Sequence, residues 1–225
     1  MGLIMKKESY IIKLLPLIIA FIGVPVLLYV LGDFPKRNFL METLSLTTIL
    51  GFTILMSQFF LSRINTKLVK EIRMVNVLKI HKFIGYLFIS ILLLHPFFII
   101  VPKFFDSGLT PSDAFLKLIT TFSSLGVILG LTAYSCLLIL MITAYFRFKL
   151  HLKYNTWRNL HGYLTLLFVI TATWHVINIG RHSNTSFSIY YVLIVAAGVY
   201  ALLRTYLFKT SKSSKEHRNT LKIIK

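Results

Sequence analysis

Hydrophobic positions in this chain neither alternate nor recur on one helical face; they run on in long unbroken stretches. Six stretches with few or no charges occupy 14–31, 44–61, 83–101, 118–146, 160–179 and 188–203. Each approaches or exceeds the roughly 18 residues that carry a helix across a bilayer. In lipid a helix satisfies its own backbone, so the expected fold is an all-α integral membrane protein, a bundle of six transmembrane helices. The fourth stretch is over-long and opens with Thr120, Thr121, Ser123 and Ser124, which puts the start of its membrane core near Leu125 after an interfacial or tilted lead-in. The first stretch is too long for the apolar part of a cleaved signal and no small-residue cleavage site follows it, so it is expected to stay as an anchor.

Composition agrees with that pattern and charge adds a direction to it. Of 225 residues, 56% are hydrophobic and 14% charged, where a soluble domain carries about a quarter charged. There are 25 Lys and Arg against 7 Asp and Glu, a net charge of +18. A nucleic-acid binder of that charge needs a soluble core, which the long uncharged stretches exclude. Twenty of the basic residues fall on one side of the membrane once the spans are drawn: Lys6, Lys7 and Lys13, the group from Arg63 to Lys82, the group from Arg147 to Arg158, and those from Arg204 to Lys225. Only Lys36, Arg37, Lys103, Lys117 and Arg181 fall on the other. Basic residues stay cytoplasmic, so both termini are expected inside.

No connection is long enough to bury a second core. The expected organisation is a membrane domain over 1–208 and a basic cytoplasmic tail over 209–225, mobile or resting on anionic headgroups. The single cysteine, Cys136, reads as a small apolar filler in mid-span. Gly126 and Gly130 form a G-x-x-x-G, which speaks to close helix packing. Asn184, Thr185 and Ser186 match a glycosylation acceptor, a short match that nothing else in the chain supports.

The chemistry lies in the histidines. His81, His95, His161 and His175 sit inside, or at the inner mouth of, the third and fifth stretches, while no carboxylate falls within any stretch. Ionisable side chains at membrane depth are costly and mark function. His81 and His95 are 14 residues apart, and so are His161 and His175. Fourteen residues make about four turns and rise about 21 Å, so each pair shares one helix face with a member near each leaflet. The third and fifth spans run parallel, which sets His81 level with His161 and His95 level with His175. Two facing pairs of imidazoles suit two six-coordinate b-type hemes of the cytochrome b kind. Zinc or copper would gather three or four ligands at one point.

With these residues in place the chain resembles the ferric reductase-like transmembrane domain, shared by ferric reductases, NADPH oxidases and the heme-binding membrane subunit of bacterial methionine sulfoxide reductase. The resemblance rests on His81-Lys82-Phe83-Ile84-Gly85 followed by His95, and on Trp157-Arg158-Asn159-Leu160-His161 followed by His175. It implies two hemes, stacked between the third and fifth helices, that pass electrons across the membrane with these four histidines as the iron's axial ligands. Many such oxidases and reductases continue into a flavin and nucleotide domain. After the sixth span here come about twenty residues without a dinucleotide fingerprint, so the short form is the closer match. The expected donor is a separate soluble flavin reductase, bringing FMN or FAD, or a membrane quinol; the expected acceptor is ferric iron or a reductase partner on the outer side.

Around this frame, Lys82 and Arg158 are candidate partners for inner heme propionates, and Arg181, with His182 and Lys103, for outer ones. Phe88 and Phe168 each lie seven residues after the inner histidine of their span, where they pack between porphyrins or in the plain core. Pro96 removes a backbone donor beside His95 and is expected to loosen or kink that helix. Two other functions fit a chain of this kind. A membrane anchor subunit would hold heme without turnover of its own. A small transporter or proton channel predicts acidic partners within the spans and paired broken helices, and neither is visible. The composition and lack of processing signals suggest a bacterial cytoplasmic membrane.

Overall fold

A computed structural model describes residues 11–62, 65–100, 110–120 and 124–223, and side chains only as far as Arg204. Side chains at 99, 100, 111, 114 and 117–119 also lie outside that description. So do Lys6, Lys7, Arg63, Lys103, Lys117 and the basic side chains of the tail, which the sequence reading had used for orientation.

The described residues form helices and no strand. Helix α1 covers Ile11–Leu31, α2 Phe39–Met56, α3 Thr66–Ile72 and α4 Met74–Ile100. Then come α5 Pro111–Thr120, α6 Leu125–Tyr145, α7 Tyr154–Ile179 and α8 Thr185–Ile223. Six of these are long and apolar enough to cross a membrane: α1, α2 with its 3₁₀ extension to Phe59, α4, α6, α7 and the first half of α8. The core of the fourth span does begin at Leu125, and the segment before it is the separate amphipathic helix α5.

Boundaries differ from the sequence reading in three informative places. Helices α4 and α7 begin at Met74 and Tyr154, so Lys79, Lys82 and Arg158 lie on helices, not in loops. Glu42 falls in the first turn of α2, inside the second span and not outside it. Helix α8 does not stop near 203; its backbone continues to Ile223 through the basic segment. At 1.5 Å per residue it is about twice as long as the hydrocarbon layer is thick.

Asparagines start three of the helices, because their side-chain oxygen takes an otherwise unpaired N–H. Asn38 accepts from the Met41 amide at 2.9 Å, Asn65 from Leu68 at 3.0 Å and Asn184 from Phe187 at 2.9 Å. Arg73, at φ 66°, breaks α3 from α4. Where prolines interrupt a spanning helix, side chains take up the freed carbonyls. Pro25 lacks the N–H that the Phe21 carbonyl would receive, and Thr53 Oγ1 donates to it at 2.9 Å. A π-helical turn over Ile19–Gly23 shifts the register there, and Tyr190 Oη donates to the Ala20 carbonyl at 2.8 Å.

The main core joins all six spans around Phe52, Met56, Leu137, Phe168, Val169, Phe187 and Tyr191. Helices α6 and α7 form the most extensive packing, followed by α2 and α4. Helices α4 and α7, which carry the four histidines, make almost no close backbone approach to each other. Helix α6 bridges them, packed on α7 and tied to α4 by Tyr134 Oη donating to the Leu93 carbonyl at 3.2 Å. Outward-facing positions such as Val30, Phe83, Tyr163 and Leu193 are large, apolar and exposed, as a lipid-facing surface requires.

Candidate functional site

The ring of His161 lies within electrostatic range of His81, and that of His95 within range of His175. Three of the four are fixed in the same way. His81 Nδ1 lies 3.0 Å from the Leu61 carbonyl oxygen, His95 Nδ1 2.7 Å from that of Leu92, and His175 Nδ1 2.7 Å from that of Gly126. A carbonyl can only accept, so each Nδ1 carries a proton, and when such a ring is neutral its lone pair is on Nε2. Metal-binding histidines are held this way, with the second nitrogen oriented by a backbone carbonyl.

Two of those carbonyls are left without a helical donor, and the third lies on the face of α6. The Leu61 carbonyl lies just past the 3₁₀ turn Ser57–Phe59, where the helical ladder has ended. Leu92 lost its helical donor to Pro96, so the proline leaves α4 continuous and hands its spare acceptor to His95. Gly126 and Gly130 give α6 a surface on which the His175 ring rests. A Cβ at Gly130 would lie 2.5 Å from that ring, and one at Gly126 2.5 Å from Ile179. The G-x-x-x-G is thus a seat for a histidine as well as a packing motif.

His161 is the exception. Its Nδ1 is buried with no hydrogen-bond partner among the described residues. Instead the ring stacks on Trp157, with centroids 5.2 Å apart and planes 27° apart.

These residues fit heme. Each imidazole on one helix has a counterpart on the other within electrostatic range, the two helices stand apart, and no cluster of three or more metal-binding side chains occurs among the described residues. Beside Gly85, one turn past His81, a Cβ would meet nothing within 4 Å, so open space lies against α4 there. Lys82 is exposed next to His81, and Arg158 is half-buried with its guanidinium 5.9 Å from the Tyr154 ring. Phe168 is buried in the main core and Phe88 packs against it.

Arg181 and His182 belong to a cluster at the far end of the bundle that the sequence reading missed. Its centre is Glu42, which accepts from Tyr29 Oη and from the Arg37 amide at 3.1 Å. The Arg37 and Arg181 side chains lie 3.5 and 4.0 Å from its carboxylate, and Arg181 also donates to the Pro35 carbonyl. His182 Nε2 is 3.6 Å from Glu42, and its ring is buried between Tyr29 and Phe34, with centroids 5.1 and 4.7 Å away. The signal for it in the sequence was the Asn38 cap, which draws Glu42 into the first turn of α2.

Burial pushes the His182 imidazole down from its ordinary value; Glu42 opposes that shift while Arg181 and Arg37 reinforce it. The unfolded chain takes up a proton near pH 6.5, and the folded site does not. The stability that His182 contributes is therefore complete above that pH and is lost as the pH falls below it toward the lower value of the folded site. Melting of the detergent-solubilised protein between about pH 8 and pH 5.5 should show a falling midpoint. His182→Gln should flatten that slope; an unchanged slope would refute the assignment.

Comparisons with known proteins identify the family. A family model described as "Ferric reductase like transmembrane component" matches residues 47–172. That range contains His81, His95 and His161 and ends just before His175. An uncharacterized protein of Archaeoglobus fulgidus is 32% identical over 176 residues, covering 78% of this chain and 96% of the relative. That relative is archaeal and lends no support to the expected bacterial membrane. No solved structure matches. With more than half its length matched and six helices able to span a bilayer, the chain is a multi-pass membrane protein that belongs to the ferric reductase-like transmembrane component family.

Proposed function

We propose that this protein moves single electrons across a membrane between two bis-histidine b-type hemes, one held by His81 and His161 and the other by His95 and His175. The observation that carries the reading is that three of these rings have their Nδ1 proton committed to a backbone carbonyl, which leaves Nε2 as the ligand atom. Bound heme supplies a one-electron couple at each level, which aliphatic helices cannot. The chain's own residues hold the imidazoles at two depths, keep water out with the apolar faces of α4, α6 and α7, and space the two sites. Lys82 and Arg158 would pair with propionates at the His81 level.

The excess of basic residues at the His81 end supports an orientation with that end and both termini in the cytoplasm. A soluble flavoprotein or a quinol is then the donor at the inner site. A ferric compound or a reductase partner is the acceptor outside. Purification followed by a heme count and a reduced-minus-oxidised spectrum tests the reading. About two hemes per chain with a bis-imidazole spectrum is the expected result, and a heme-free protein overturns it.

A further inference from the structure

His161 lacks the carbonyl that fixes the other three histidines, yet its place is no less determined. Trp157, one helical turn earlier, lies flat against it at 5.2 Å. The indole is itself held from two directions. Its Nε1 donates to the Thr143 carbonyl of α6 at 3.1 Å, and the Arg147 guanidinium lies 4.6 Å from its ring centroid. Arg147 is also 5.0 Å from each of the Phe148 and Tyr154 rings, and its Nε is buried with no hydrogen-bond partner among the described residues. A cation that gives up hydrogen bonds for aromatic faces is held by their quadrupoles. The stack therefore runs from Arg147 through Trp157 to His161 and joins the end of α6 to the start of α7.

We propose that Trp157 is the positioning residue of the inner heme site, orienting His161 by stacking where the other ligands are oriented by hydrogen bonds. This rests on the diheme reading above. It carries a consequence which that reading lacks: the two hemes are ligated unequally. At the His95 and His175 level both imidazoles are strengthened as donors by an Nδ1–H···O=C bond. At the inner level only His81 is. The His161 plane is restrained by its stacking on Trp157 in place of an Nδ1 hydrogen bond.

The experiment compares wild type, Trp157→Ala and Trp157→Phe in detergent, reading heme content, the low-spin ferric electron paramagnetic resonance signals and the midpoint potential of each heme. Wild type should give two distinguishable signals. In Trp157→Ala one signal should shift or broaden and one potential should move, with the other signal and potential unchanged. Trp157→Phe keeps a ring but loses the bond to Thr143, so it should fall between the two; it carries the test alone if the alanine variant cannot be recovered. Signals and potentials unmoved in the recovered variants, or both hemes moving together, overturn the proposal while leaving the diheme reading intact. A wild-type protein without heme overturns both.

Discussion

Replacing His161 or His95 with alanine should each remove one heme and leave the other, taking the content from about two per chain to about one. The double variant should contain none. The expectation follows from the pairing: His161 has its counterpart in His81 and His95 in His175, so no histidine serves both levels. Losing one ligand leaves an iron with a single imidazole in a site that α4 and α7, standing apart, do not close by themselves. Added imidazole should restore part of the lost absorbance by filling the vacated position. The check is a heme count on each purified variant, with helix content measured by circular dichroism as a control for folding. Single variants that keep both hemes would rule out these ligands, and single variants that lose both would rule out two independent levels.

Gly130→Ala should have nearly the same effect as losing His175 itself, although glycine touches no cofactor. The added methyl would sit 2.5 Å from the imidazole, closer than real atoms approach, so the ring must move. Movement breaks its 2.7 Å bond to the Gly126 carbonyl, and with that bond go both the tautomer and the aim of Nε2. Heme content should fall toward about one per chain, with the remaining heme spectrally normal. Gly23→Ala is the matched control, since a methyl there meets only the Ile19 side chain at 3.9 Å, on α1 and away from the histidines. Full heme content in Gly130→Ala would refute the seat.

The spans, and the placing of two histidines on each of two helices, were legible because each depends on local spacing. Runs of apolar residues report a lipid environment whatever the tertiary contacts, and a separation of 14 residues defines a helix face without knowledge of the neighbours. What escaped depends on residues far apart in the chain. Nothing near Leu61 announces that its carbonyl will meet His81, and Gly126 lies 49 positions from the ring it receives. Helix ends also escaped, because Lys79, Lys82 and Arg158 are polar residues that a helix tolerates once it leaves the hydrocarbon. Glu42 was missed for the same reason. Pro96 was seen as a disturbance, and only the contact with Leu92 turns the missing amide into an acceptor for the neighbouring ring.

The irregular turn in α1 bears on the order in which the bundle is made. The first span enters the membrane with the Ala20 and Phe21 carbonyls deprived of backbone donors by Pro25 and the π-helical register. Thr53 reaches Phe21 as soon as the second span follows, 32 residues on, whereas Tyr190 reaches Ala20 from 170 residues away, on α8. Each bond is worth only about 0.6 kcal/mol in a bilayer. Yet until α8 arrives, one polar group of α1 stays unpaired in lipid. Helices α1 and α8 thus close on each other, and their docking completes the pairing that Pro25 interrupts.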